Sequence, residues 1–349
     1  MNTHNEEKYY NALNIACFGN YEDLKGHFYE SKSWQEAWLK TKKPVHLDPD
    51  TQWEKLAKND IKLILASNPD FPSQLKEIPW PPFALYTKGS FPSREDKLVA
   101  IVGTRKATLE GKRIAKKFAR KLAEVGLTVV SGLAFGIDAG AHEGVIEAGG
   151  KTLAVLANGL DRVYPRHHEA LAEKILNLHG SLISEYPIGA PSLPQRFIER
   201  NRIISGLTLG IILIEAPENS GALATARFAL EQNREVFVVP GSIDNPNFIG
   251  SHKLIKDGAA LITSIDDVIS SLNLESFMNQ AQRQNQALKL LELDESQKAV
   301  INALKAYGEK AGVDKIAELA RRDIGSIASA LSFLLIKGMI KEENGKYYL

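Results

Sequence analysis

The stretch "LVAIVGTRKATLEGKRIAKKFARKLAEVGLTVVSG", Leu98 to Gly132, changes texture twice. It opens on an aliphatic run that breaks at Gly103. Between Leu109 and Gly126, Ile114, Phe118 and Leu122 recur at every fourth position, with lysines and arginines filling the other faces. A second apolar run follows from Leu127. A continuous apolar run of strand length, then helical periodicity, then another such run is the pattern of a βαβ unit in a parallel sheet covered on both faces.

The same alternation continues to Ser264. "TLAVLANG", "GSLISE", "LGIILIEA", "EVFVVPG" and "ALITS" read as strands, separated by helical segments such as "GALATARFALEQN". The pattern predicts an α/β fold: an extended Rossmann-like, doubly wound, mostly parallel sheet of about seven strands. In such sheets ligands bind beyond the carboxyl ends of the strands. That directs attention to the loops "GTRKA", "SGLAFGID", "NGLDRVYP", "EAPENSGA" and "VPGSIDNP".

The flanks differ from this core. Residues 1–60 read as a small helical domain. The core domain covers 61–275, and its first part, 61–97, reads as an irregular lead-in arm dense in proline and aromatics ("NPDFPSQLKEIPWPPFALYTKG"). Residues 276–293, rich in Asn and Gln, read as a linker. Residues 294–349 hold three helical patterns and then "GMIKEENGKYYL", a hairpin turning at "ENG", which is a winged-helix arrangement.

Composition narrows the class. The 349 residues are 44% hydrophobic and 24% charged, the balance of an ordinary globular chain. A net charge of +1 supplies no global field toward nucleic acid or membrane, so any such contact must be local. One cysteine, Cys17, excludes an intrachain disulfide framework and a cysteine metal cluster. The start, "MNTHNEEKYY", has no basic and apolar leader pattern, and the greasiest run, "IISGLTLGIILIEA", is too short and broken to span a bilayer. A cytoplasmic protein with no membrane contact is expected.

The loops lack the usual catalytic signatures. There is no G-x-x-x-x-G-K-[ST], no G-x-G-x-x-G after the first strand, no G-x-S-x-G and no H-E-x-x-H. The eight histidines show no ligand spacing, and "RHH" at Arg166–His168 reads as a solvated loop, so neither metal nor cofactor is expected. The loops do offer anion-binding backbone. "ENSGALATARFAL" opens a helix with the small residues Ser220, Gly221 and Ala222, a phosphate cradle by geometry, although a plain cap and tight turn would read the same. In "SGLAFGIDAGAH", Asp138 and His142 suit caps or helix-face polar groups equally well. The basic helix from Gly103 to Lys121 turns Lys112, Arg113, Lys116, Lys117, Arg120 and Lys121 outward, whereas Arg105 sits at the strand end, inside the expected crevice.

"FIERNRIISGL", Phe197–Leu207, sets two arginines against the most apolar segment. Residues two apart on a helix point about 200° apart, so Arg200 and Arg202 cannot serve one contact. Arg200 shares a stripe with Phe197, Ile203, Ile204 and Leu207 and needs a partner there: a buried carboxylate such as Glu215, or a ligand phosphate. Arg202, on the other side, fits a structural ion pair at least as well as a functional role.

Taken together, "AIVGTRKAT", "VVSGLAFGIDAGAHEGVIEAGGKTLAVLANGLDRVYP", "SEYPIGAPSLPQRFIERNRIISGL", "IEAPENSGALATARFALEQNREVFVVPG" and "GSHKLIKDGA" resemble the DNA-processing protein A family (DprA, or Smf), over about Ile64–Ser270. The resemblance implies a single-stranded DNA (ssDNA) binding recombination mediator of natural transformation. Such a protein loads the recombinase RecA onto ssDNA past single-strand-binding protein, works as a homodimer and catalyses no bond chemistry. By the family's pattern the DNA pocket uses Gly103, Thr104 and Arg105 of the "GTR" turn, Arg196, Phe197, Arg200 and Asn201 of "RFIERN", and Ser220 and Gly221. Phe135 stands where members often carry a basic residue, and Arg196 takes the place of a family lysine.

The rival is an enzyme of the same fold, the nucleoside-monophosphate phosphoribohydrolases. "ERN" and "SGALATARF" resemble that family's motifs, but alignment on Thr225 puts Phe228 where its catalytic glutamate belongs, and Glu231 is a turn too late. A transcription-factor reading rests on the winged helix alone, whose "IGSIASALSFLLIKG" helix offers Ser326 and Ser329 and few basic residues.

Overall fold

A computed structural model describes residues 3–41, 47–278, 293–337 and 339–349. The linker expected over 276–293 therefore lies mostly outside the described residues. The chain divides into two compact units, Met1–Glu275 and Ser276–Leu349.

The first unit is built on a nine-stranded sheet. In chain order its strands are β1 (Lys62–Leu65), β2 (Ala84–Gly89), β3 (Leu98–Gly103), β4 (Thr128–Ser131), β5 (Thr152–Leu156), β6 (Ser181–Ser184), β7 (Gly210–Ile214), β8 (Glu235–Val238) and β9 (Ala260–Leu261). The spatial order is β1-β2-β6-β5-β4-β3-β7-β8-β9. The seven strands from β3 onward pair in parallel, as the apolar runs predict, while β1 and β2 add an antiparallel edge. The lead-in arm is thus not wholly irregular: "ALYTKG" at its end pairs with β6 through Tyr86↔Ser184 and its neighbours. The density of prolines around Trp80 hides a strand that starts only after the last of them.

The helices are α1 (Thr3–Ala16), α2 (Tyr21–Tyr29), α3 (Trp34–Lys40), α4 (Pro49–Lys58), α5 (Ser73–Lys76), α6 (Leu109–Glu124), α7 (Ile137–Glu147), α8 (Glu169–Asn177), α9 (Pro194–Leu207), α10 (Gly221–Glu231), α11 (Ile249–Lys256) and α12 (Ile265–Ser271). Alternate residues of β3 decide how the layers form. Leu98, Ala100 and Val102 join a cluster with Ile203, Ile204 and Leu207 of α9 and with Ala222, Ala226 and Ala229 of α10. Another core joins Tyr10 and Leu13 of α1 and Trp34 and Trp38 of α3 to Ala154, Leu156 and Leu182 of the sheet. The N-terminal helices therefore share a core with the sheet.

Helix α6 starts at Thr108, whose hydroxyl accepts the Gly111 N–H at 2.9 Å. Phe118 and Leu122 are buried and Ile114 is partly so. Its cations do face outward, but several are paired: Arg113 with Glu110 at 2.6 Å, Arg120 with Glu124 at 2.9 Å, and Lys116 with Glu147 of α7 at 2.7 Å.

The second unit contains α13 (Glu295–Tyr307), α14 (Val313–Ala320), α15 (Ile324–Ile336) and the hairpin β10 (Lys341–Glu343) and β11 (Lys346–Tyr348). Asp294 and Gln297 form a reciprocal cap on α13. Asn344 and Gly345 both have positive φ, 52° and 74°, which tightens the hairpin turn. Val300, Leu304, Ile316, Ile327, Leu331 and Leu334 close a core of its own.

Candidate nucleic-acid interface

Strand order reverses between β3 and β7: from β3 the chain steps outward through β4 and β5, then returns to the other flank with β7 and β8. The loops after two neighbouring strands diverge at such a switch point and leave a crevice. A cavity of about 530 Å³ lies there, and its wall brings together Gly103, Thr104 and Arg105 after β3, Phe197, Arg200 and Asn201 on α9, and Ser220 and Gly221 at the start of α10.

The turn after β3 is held by a buried carboxylate. Glu215, 1% exposed, accepts the Thr108 N–H at 2.9 Å, the Thr108 hydroxyl, and Asn247 Nδ2 at 3.0 Å. Its carbonyl accepts the Thr104 N–H at 2.8 Å. Glu215 is therefore the bracket of the "GTRKAT" turn and not the partner of Arg200 that helical geometry alone allows. Gly103 and Gly111 are glycines for steric reasons: a Cβ on Gly103 would run into the Ile214 carbonyl, and one on Gly111 into the Glu215 carboxylate.

Arg105 is exposed, and its guanidinium lies 4.5 Å from the centre of the Phe197 ring. Tyr164, from the "NGLDRVYP" loop, packs against Phe197, its ring 5.5 Å away and tilted 54°. The result is an aromatic platform with a cation above it. Asn201 braces the platform against α10 by donating to the Gly221 carbonyl at 3.2 Å. Ser220 caps α10 by accepting the Ala222 N–H at 3.2 Å. A Cβ on Gly221 would meet nothing within 4 Å among the described residues, so the helix start is open there. Its N-terminal partial positive charge therefore faces the crevice.

Arg200 is 3% exposed. Its Nη1 donates to the Gly132 carbonyl at 2.9 Å and to the Val155 carbonyl. Burial lowers its pKa to about 10, partly offset by the nearby Asp138. Asp138 accepts the N–H groups of Gly132 and Ala134 at 3.1 and 3.3 Å. Burial raises its pKa, against the pull of Arg200. Arg200 and Asp138 compensate each other, which leaves Arg105 as the exposed charge of the wall and makes the crevice electropositive.

Two residues fall elsewhere. Arg202, 2% exposed, donates through Nη2 to both oxygens of Glu185 at 2.7 and 2.9 Å, a structural ion pair, one of the two roles its sequence leaves open. Arg196, placed by family pattern in the pocket, does not line the crevice. Its guanidinium lies over Tyr186 at 4.6 Å and donates to the Pro191 and Phe18 carbonyls, so it ties α9 to the turn after α1. Of the five flagged loops, "VPGSIDNP" contributes nothing to the crevice wall. Tyr164, Ser192 and Asn219 line it without having been singled out. Tyr164 sits in a flagged loop, and an aromatic there was the available signal. Phe228 is half-buried and neither it nor Glu231 lines the crevice; Asp138 is the carboxylate found there among the described residues. No group of three or more His, Cys, Asp or Glu among the described residues could hold a metal ion, and no helix among them is long and apolar enough to cross a membrane.

Residues 62–273 match the family model described as DNA recombination-mediator protein A. The chain is 37% identical to protein Smf of Escherichia coli over 294 residues, covering 82% of this chain and 76% of that one. It is 42% identical to the DNA processing protein DprA of Streptococcus pneumoniae over 200 residues, 57% of this chain and 70% of the relative. The X-ray structure of DprA from Streptococcus pneumoniae superposes with a TM-score of 0.60 at 31% identity, covering 76% of this chain and 92% of that one. A DprA structure from Helicobacter pylori, whose report concerns a single-stranded DNA binding mode, gives a TM-score of 0.54 at 27% identity over 61% and 97% of the two chains. The chain belongs to the DNA recombination-mediator protein A family, the DprA/Smf proteins.

Proposed function

We propose that this protein is a single-stranded DNA-binding recombination mediator, with the switch-point crevice as its DNA pocket. The observation that carries the reading is the Arg105–Phe197–Tyr164 group beside the open start of α10. A cation at an aromatic platform, next to a helix N-terminus, matches what a single strand presents: a phosphate with an unstacked base beside it. A duplex keeps its bases stacked inward and cannot use the platform. The Helicobacter pylori relative, described as binding single-stranded DNA, supports the same class.

In this reading Arg105, Ser220 and Gly221 receive phosphate, Phe197 and Tyr164 stack a base, and Thr104 and Asn201 hold the frame. Arg200 acts chiefly by fixing the Gly132 and Val155 carbonyls beneath the platform. The bound strand is then passed to RecA in place of single-strand-binding protein, the protein acts as a homodimer in the cytoplasm, and no bond is made or broken. The residues 1–60, 61–275 and 294–349 are taken as its functional modules, with the winged helix as an interaction module.

The test is a binding titration on single- and double-stranded oligonucleotides across a salt series. Preference for the single strand, with affinity falling steeply as salt rises, is expected. Equal affinity for both, or binding insensitive to salt, would remove the crevice from consideration. Recombinase loading is tested separately, by strand exchange on DNA pre-coated with single-strand-binding protein. Incubation with AMP, followed by assay for free adenine, tests the hydrolase alternative.

A further inference from the structure

On the other side of α9 lies a second cavity, of about 390 Å³, within the size range of small-ligand pockets. It shares no lining residue with the crevice: Gln195, Arg196, Glu199 and Arg202 face it, whereas Phe197, Ile198, Arg200, Asn201 and Ile204 face the crevice. Its remaining wall comes from the turn between α1 and α2, the first turn of α2, Trp80 and Glu185.

Three independent features of this cavity are unusual. The first is its mouth. Phe18 is 80% exposed and Trp80 52% exposed, and both line the cavity. The second is the backbone beneath them. Both residues have positive φ, 52° and 58°, a region that bulky side chains rarely adopt. Two large aromatics are thus held in strained backbone while presented to solvent, a combination that stability does not favour and that gathers at ligand sites. The third is a missing acceptor. Arg202 borders the cavity, is almost wholly buried, and its Nε–H has no hydrogen-bond partner among the described residues.

The charges select the ligand. Arg196 and Arg202 are balanced by Glu185 and Glu199; at the exposed rim Glu22 pairs with Lys25 at 3.6 Å, and Asp23 leaves an excess of negative charge. Phosphate is therefore disfavoured. Tyr21, with the Arg202 guanidinium 5.7 Å from its ring centre, adds a third aromatic wall. We propose that this cavity binds an uncharged flat heteroaromatic ring of the nucleobase class, stacked among Phe18, Tyr21 and Trp80 and offering an acceptor to Arg202. The site is separate from the DNA crevice and takes the nucleoside, not the nucleotide.

The experiment uses the full chain and saturation-transfer NMR with adenosine and AMP as probes. Saturable binding of adenosine, weaker binding of AMP, and a loss of about fivefold or more in affinity in Trp80→Ala and Phe18→Ala are expected, as for a lost stacking partner. Both side chains are exposed, so these variants keep the fold; circular dichroism checks that. Arg105→Ala, which alters only the crevice, leaves adenosine binding unchanged. Absence of saturable adenosine binding, AMP binding as tightly as adenosine in Arg105→Ala (where the crevice has lost its phosphate contact), unchanged affinity in Trp80→Ala, or loss of adenosine binding in Arg105→Ala each overturns the proposal. The last outcome assigns the nucleoside to the crevice.

Discussion

The guanidinium of Arg105 lies 4.5 Å from the centre of the Phe197 ring, joining the loop after β3 to the first turns of α9. The contact orients both groups before any ligand arrives. The cation is kept over the ring and both remain at the crevice wall. Arg105→Ala and Phe197→Ala should each weaken ssDNA binding by about 1–3 kcal/mol. They should differ in salt dependence: losing Arg105 lowers the salt slope by about 1, whereas losing Phe197 leaves it unchanged. Parallel titrations at several salt concentrations check this, and identical slopes for both variants would contradict the division of roles.

The two buried arginines of α9 should separate stability from affinity. Arg202→Ala strands the Glu185 carboxylate and is expected to cost about 3–5 kcal/mol of stability without altering ssDNA affinity at a temperature where the protein stays folded. Arg200→Ala strands Asp138 and frees two carbonyls under the crevice, so it should lower both. Adding Asp138→Asn to Arg200→Ala should recover part of the lost stability, because the uncompensated buried carboxylate is gone. Denaturant melts of the single and double variants decide the point; strict additivity would show the two groups to be uncoupled.

Two glycines give opposite expectations. Gly221→Ala places a methyl in open space at a helix start, so stability should hold or rise by about 0.4–1 kcal/mol, while ssDNA affinity falls as the methyl narrows the crevice. Gly103→Ala meets the Ile214 carbonyl and the Ile137 side chain and should yield little folded protein. Melting temperature and affinity measured together test the pair. Unchanged affinity in Gly221→Ala would move the ligand away from α10.

His142 makes acid stability predictable. Its Nδ1 is 2.8 Å from the Thr152 hydroxyl, which itself donates to the Val129 carbonyl, so Nδ1 carries the proton and Nε2 is bare, with no hydrogen-bond partner among the described residues. Burial lowers its pKa from 6.5 to about 3, with His168 and Arg200 adding to the effect. The folded state resists protonation while the unfolded state accepts it. The stability contributed by neutral His142 is therefore full above about pH 6.5 and is lost as pH falls toward 3. Between pH 6.5 and 5 the loss should be about 1.6 kcal/mol. His142→Gln should flatten that part of the stability profile, whatever its stability at neutral pH. An unchanged slope would assign the acid sensitivity to other groups.

Truncation after Glu275 leaves the whole sheet, both faces and every crevice residue in place. A chain of residues 1–275 should therefore keep most of the ssDNA affinity. Loss of binding by a folded 1–275 chain would make the winged helix the reader.

Thr104 and Asn201 of the crevice wall come from the family resemblance, whereas the sequence by itself determined the parallel sheet and the place of the crevice. These rest on local signals: apolar runs for the strands of β3 to β9, fourfold spacing for α6, and small residues at the start of α10. The switch-point rule then needs only the order of strands and helices. Sequence also separated Arg200 from Arg202, because helical geometry within one element is local. What only the tertiary structure decided are pairings between distant elements. Glu215 was a plausible partner for Arg200 by chemistry, but parallel pairing of β7 with β3 points it at Thr108 instead. Arg196 matched a pocket position by motif, yet the Phe18 carbonyl, far away in the chain, claims its guanidinium. The β2 strand was obscured because antiparallel pairing with β6 compensates for weak local preference in a proline-rich arm. Periodicity reports which face of an element is apolar; the identity of the group across from it depends on chain folding, which no local pattern encodes.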